Sequence, residues 1–392
     1  MKNSHIKTAL LLMACVFAAF ACSNSSSGSG GGTGGTGIIS RGSISEFGSI
    51  VVNGTEFDTT DAIVVLKGIA VGTGDAAVRE HLDVGKIVTV IGSGGEETED
   101  AVADRVLYRS DIKGPVADIR NVGPESLAVQ VLGQTVMINT LTRFDGISVD
   151  AISTGDAIEV SGYPDDTGTI WATFIQKHLP EATVEIVGNV YNLNDALQTF
   201  EINALAIDYS SAETFGLPDG GLAEGLRVEV EGMLDDSGTI FATKINLDDV
   251  LDGEAEGQLE VMGFVTGFTS IDEFVIDSQA VRVEAGAEIV DGTPADIAPG
   301  VKLEAEGVLV AGVLFAHEIE FWEPDQIELE GLVAELISDS AFRINGREVR
   351  TNAATVFEDG APDEIAVGVN LEIKGYLENG ILQADKVSFE LD

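Results

Sequence analysis

Residues 224–245 read E-G-L-R-V-E-V-E-G-M-L-D-D-S-G-T-I-F-A-T-K-I, and they decide the fold because the pattern occurs five times. Three and five residues after the leading glycine stand Val228 and Val230, with Glu229 between them. The other copies place Val88/Val90, Ile158/Val160, Leu303/Ala305 and Leu371/Ile373 at the same spacing. A period of two is that of a strand with one apolar face and one wet face. A second glycine closes each run seven residues after the first, at Gly92, Gly162, Gly232, Gly307 and Gly375. Glycine there marks a turn, a bulge or a close backbone approach. Turn residues such as Asp166-Thr167-Gly168 and Asp236-Ser237-Gly238 follow, supplying the positive φ of a tight hairpin. The returning run carries Ala103, Ala172, Ala242, Ala316 and Ala384, each followed three positions on by Val106, Ile175, Ile245, Ile319 and Val387. A three-residue step breaks strict alternation and predicts a bulge that bends the strand, as a small barrel requires.

The second glycines are spaced by 70, 70, 75 and 68 residues, so the unit is one small domain. An opening glycine recurs at Gly42, Gly114, Gly188, Gly263 and Gly331 inside a first strand, and a second strand and a turn such as Asn53-Gly54 come soon after. Five short strands per repeat predict an all-β fold of five tandem small antiparallel β-barrels, OB-like, with low helix content. Only short helical turns are expected, ahead of the leading glycines at 75–82, 145–152, 218–223, 294–297 and 362–365. The domain reading is 1–21 signal peptide, 22–37 Ser/Gly tether, 38–110 a divergent first barrel, then barrels at 111–180, 183–250, 257–323 and 327–392. The first repeat diverges through an insert at 64–80 and an acidic loop at 94–100. The joints read as linkers, above all the acidic 248–257.

A short basic start and an apolar run ending in Ala19-Phe20-Ala21-Cys22 describe an export signal. Both cysteines, Cys15 and Cys22, lie there, so the barrels carry no disulfide. A small residue before Cys22, followed by a Ser/Gly-rich tether, resembles a bacterial lipoprotein signal. That class implies lipidation of Cys22, a membrane anchor, and outer-membrane sorting through Ser23.

A formal net charge of −45 is the strongest compositional fact. Nucleic-acid binding draws most of its affinity from Lys and Arg neutralising phosphates, so DNA and RNA are not expected partners. The wet strand positions are glutamates, read as a solvated, self-repelling surface. Glu229 with Glu231, and Glu304 with Glu306, share a strand face as exposed like charges and not as a poised acid/base pair.

No catalytic constellation emerges: G-x-S-x-G, G-x-x-x-x-G-K and H-E-x-x-H are absent, and His81, His178 and His317 stand alone. No catalytic residue, metal site or cofactor is therefore expected. Asp165, Asp166, Asp235 and Asp236 sit beside glycines as in calcium loops, but the alternating acidic spacing of a dense site is missing, and turn chemistry accounts for them. Trp171, Phe241 and Phe315 occupy one equivalent position, opposite in phase to the repeated alanine. They either pack between barrels or form a stacking platform for a ligand.

Gly225, Val228, Val230, Gly232, Gly238, Thr239, Ile240, Ala242 and Ile245 carry a resemblance to the bacterial family called domain of unknown function 5666, extending over nearly all of 42–392. The resemblance implies exported bacterial proteins with β-rich domains, no established activity and no site. The leading expectation is a lipid-anchored, non-catalytic binding or spacer array in the cell envelope, with a protein or glycan partner. The alternatives are an enzyme or accessory domain acting on envelope polysaccharide, and a divalent-cation-responsive adhesive or structural protein.

Overall fold

The computed structural model describes residues 37–392 apart from 48, 95–100, 124–125, 249–256, 324–325, 379 and 390–392. The signal segment, nearly all of the tether, and Cys22 lie outside the described residues. Among the described residues helix is confined to Gly74–His81 and to 3-10 turns at Val149–Ala151, Pro294–Asp296 and Pro362–Glu364. These fall in four of the five segments expected to be helical; 218–223 makes turns instead.

The fourth repeat shows the plan. Its strands are Gly257–Ser270, Glu273–Ile276, Gln279–Val290, Lys302–Val310 and Val313–Trp322. The first pairs the second, the second pairs the third, and the third runs parallel to the fifth. The fifth pairs the fourth, and the fourth returns to the first. The ring order 1-2-3-5-4 is that of an OB-type barrel. The same ring closes in the first, second and fifth repeats. In the third, the opening strand comes in two pieces, Thr183–Asn189 and Tyr191–Asn194, which pair the fourth and second strands respectively. The insert of the first repeat forms a hairpin, Ile63–Leu66 with Ile69–Thr73, followed by the helix.

The bulge occurs in all five repeats. Where the fourth strand passes its second glycine the register slips by one, so Thr243 bulges as Glu231 faces Lys244 and Gly232 faces Ala242. The glycine is required sterically. A Cβ on Gly307 would overlap the Phe315 carbonyl oxygen, and the other four second glycines meet the backbone of their returning strand in the same way. Alternation then points Leu303, Ala305, Leu314, Ala316 and Ile319 into the barrel, all essentially inaccessible. Each such leucine or isoleucine contributes about 1.5–3 kcal/mol relative to exposure.

Residues 35–392 are one compact unit and not a string of separate beads. In each barrel the back half of the first strand pairs the second strand, leaving the front half with one open edge. Residues 38–41 of the first barrel fill theirs with 258–261 of the fourth, in parallel. Ile112 and Lys113 of the second barrel pair Ile186 and Glu185 of the third, antiparallel. The barrels thus fuse one with four and two with three through edges that would otherwise be unsatisfied. At the first joint Ser110 and Ile112 are buried, and the Asp248 side chain is 2% exposed, whereas Leu179 in the second joint is 83% exposed and residues 249–256 of the acidic joint lie outside the described residues.

Candidate functional site

Fusion turns much of the wet strand face inward, which corrects the expectation of exposed glutamates. Glu229 is 2% accessible, and Glu159 and Glu185 are also buried. Each has partners: Asn246 Nδ2 donates to Glu229 at 2.8 Å, the Tyr108 hydroxyl donates to Glu159 at 2.9 Å, and Lys67 of the first barrel pairs with Glu185 of the third.

Where barrels one, two, three and four meet, three arginines interleave with three aspartates. Arg41 Nη2 lies 2.7 Å from Asp277 Oδ2, and Arg227 reaches Asp277 at 3.3 Å and Asp248 at 2.7 Å. Arg109 closes on the other oxygen of Asp248. Asp111 stands 4.0 Å from Arg227 and accepts the Gly162 N–H at 2.9 Å. Burial, followed by repulsion from Asp277, lifts the Asp111 carboxyl to about 7. Asp277 shows the opposite outcome. Burial pushes its carboxyl up, but Arg227 and Arg41 together outweigh that and hold it below the usual range. Buried carboxylates of this kind persist only when paired.

Barrels one, two, four and five together enclose a cleft of about 810 Å³. Eleven carboxylates and five basic side chains line it among the described residues. On its wall the carboxyls of Glu260 and Glu304 perturb one another. Burial, with the neighbouring carboxyl adding to it, raises Glu260 well above the usual range, and burial raises Glu304 as well. Lys374, only 7% exposed, contacts Glu320, Glu328 at 3.6 Å and Glu372 at 3.7 Å, and lies 4.8 Å from the Trp322 ring centre. Burial lowers its pKa. The Trp322 indole N–H is buried without a hydrogen-bond partner among the described residues.

The residues singled out in the sequence go to separate places. Trp171 packs against Phe264 of the fourth barrel, centroids 5.8 Å apart, and its indole N–H donates to Asp165 at 3.1 Å. Phe241 is 48% exposed, and Phe315 lies beneath the Arg282 guanidinium at 5.8 Å. No ring contact joins the three among the described residues. Asp165 Oδ1 accepts from the Thr167 N–H and hydroxyl and from the Thr169 N–H; Asp235 Oδ1 is held identically by Ser237 and Thr239. The Ser237 hydroxyl and the turn amides keep Asp235 below the usual carboxylate range. Asp166 and Asp236 are exposed at the same turns.

Pattern reading missed the arginine–aspartate junction and the cleft. One signal was present: in a chain with 21 Lys and Arg against 66 Asp and Glu, an arginine within an alternating strand, as at Arg41 and Arg227, is conspicuous.

No curated protein matches the chain. The domain of unknown function DUF5666 matches at residues 113–176, 187–246, 262–320 and 330–388, together more than half of the chain. These stretches are the second to fifth barrels, and the unmatched first repeat closes the same ring. The chain therefore belongs to the DUF5666 family, as a tandem array of its domain.

Proposed function

We propose that this protein is exported, anchored through lipid on Cys22 to the bacterial outer membrane, and acts as a non-catalytic binding body in the envelope. The observation that carries the binding role is the acidic cleft between four barrels, whose eleven carboxylates outnumber its five basic groups. Carboxylates gathered in a concave, partly desolvated wall attract cations more strongly than the same charges spread over an open surface. The partner favoured is a basic polypeptide segment. Support for anchoring comes from the basic start, the apolar run and the position of Cys22 before the Ser/Gly-rich stretch.

Titration calorimetry with an unstructured decapeptide of alternating lysine and valine tests the cleft. Binding is expected at low salt, weakened by Glu306→Lys and Glu330→Lys and by raised salt. No heat of binding at millimolar peptide would overturn the role. Mass spectrometry of the N-terminal peptide, with membrane fractionation of wild type and Cys22→Ala, tests the anchor. An unmodified wild-type cysteine would end that part.

A further inference from the structure

A second pocket, of about 470 Å³, lies between the first and third barrels and shares no lining residue with the acidic cleft. Its charge balance is the reverse of the chain's. Six of the 21 lysines and arginines line it, Arg41, Lys67, Arg105, Arg109, Arg227 and Lys244, against three of the 66 aspartates and glutamates, Asp111, Glu229 and Asp248.

The pocket is built by a departure from the repeat. The hairpin inserted in the first barrel turns through Lys67 and Gly68, at φ of +49° and +77°, and Lys67 reaches Glu185 of the third barrel. Among the described residues no other repeat carries such a hairpin. Lys67 thereby joins Phe215 and Lys244 of the third barrel on one lining.

Arg41 and Arg227 lie deep against Asp277 and Asp248, whereas Lys67, Arg109 and Lys244 keep side-chain exposures of 28%, 18% and 32%. Each of these three contacts one carboxylate, of Glu185, Asp248 and Glu231 respectively. An ammonium carries three N–H donors and a guanidinium five, so donors remain for an oxyanion. Ser110 lines the same pocket, is 3% accessible, and its hydroxyl has no hydrogen-bond partner among the described residues. A hydroxyl buried without a partner is unfavourable, and its O–H suits an anionic oxygen. Burial disfavours the ionised forms of Glu229 and Asp111, so the pocket's own acids offset its cations only in part. Val65, Leu107 and Val187 supply apolar wall, and Phe215, 47% exposed, has its ring centre 5.6 Å from the Lys244 ammonium. A few polar groups set in an apolar wall of this volume make up a small-molecule site.

We propose that this pocket binds a sugar bearing a phosphate or carboxylate group, held by Lys67, Arg109, Lys244 and the Ser110 hydroxyl, with its ring against Phe215. Ammonium and guanidinium groups pair with phosphate and carboxylate alike. The site is independent of the binding role assigned to the cleft, and either can fail without the other.

Titration calorimetry with glucose 6-phosphate and glucuronate, and with glucose as the neutral control, tests the pocket. At least one of the two anions is expected to bind with a Kd of about 1 mM or tighter, and glucose roughly tenfold more weakly or worse. The tighter of the two anions identifies the group recognised. Lys67→Met and Lys244→Met should each weaken it about tenfold, while Arg343→Met, outside this lining, should leave it unchanged. Ser110→Ala should weaken binding about threefold without lowering the melting temperature, because the hydroxyl has no protein partner to lose. No binding of either anion, glucose binding as tight as theirs, or anion binding untouched by both lysine substitutions would overturn the proposal. Should the variants fail to fold, acetylation of the wild-type lysines decides. Saturating anion should slow the reaction at Lys67 and Lys244 but not at Lys177, which lies outside the pocket; unchanged rates at the first two would refute the site.

Discussion

Arg227→Met tests whether the arginine–aspartate junction locks the barrels together. The substitution removes the guanidinium that bridges Asp248 and Asp277, whose side chains are 2% and 4% exposed, and leaves each with one arginine, Arg109 and Arg41 respectively. Breaking a buried pair by deleting one partner costs about 3–5 kcal/mol. Because each aspartate keeps one cation, the lower end applies, about 3 kcal/mol, or about 4 °C in melting temperature for a unit of this size. Arg227 also holds the Asp111 pKa down, so the loss should grow as pH rises from 6 to 8. Scanning calorimetry at both pH values is the assay, with Arg343→Met as the control. Arg343 is 40% exposed beside Glu335 at 3.3 Å, and its loss should stay within about 0.5 kcal/mol. Adding Asp277→Asn to Arg227→Met should recover part of the loss through a coupling of about 1 kcal/mol or more. A melting temperature for Arg227→Met no lower than that of the control would refute the lock.

Folding raises the Asp111 pKa from 3.8 to about 7. The folded chain keeps a proton that the unfolded chain has released, and the stability this confers is full below pH 3.8 and lost as pH rises through 7. Between pH 5 and 8 the loss is at most roughly 2–3 kcal/mol. Asp111→Asn should flatten that slope in denaturant titrations, and an unchanged slope counts against the assignment. Glu304→Gln should stabilise the chain at pH 8, because it removes a carboxyl whose ionised form burial beside Glu260 disfavours; a lower midpoint in urea would contradict this. Gly307→Ala forces a Cβ onto the Phe315 carbonyl, whereas Gly225→Ala meets no atom within 4 Å and suffers only a φ of +78°. The first should lower stability by several kcal/mol and the second by about 1–2 kcal/mol, and the reverse order in chemical denaturation would sink the packing account of the second glycine.

The interior of each barrel was legible in residues 224–245 because its causes are local. Alternation selects the inward face, the second glycine admits the returning backbone, and the three-residue step from Ala242 to Ile245 announces the bulge. Sequence alone thus determined the strand pattern, the repeat length, the turns that occupy Asp165 and Asp235, and the family. It could not determine the fate of the wet face. Glu229 and Asp248 look solvated to any local rule, yet both are buried where the first barrel packs on the third, Asp248 against Arg109. Partner choice among five similar edges depends on which surfaces close together after folding, at separations of some 220 residues for Ser40 and Glu260. Only the tertiary structure decided that one pairs with four and two with three. The same arrangement leaves the front of the fifth barrel's first strand without a partner strand among the described residues, because an odd number of like edges cannot all pair with one another.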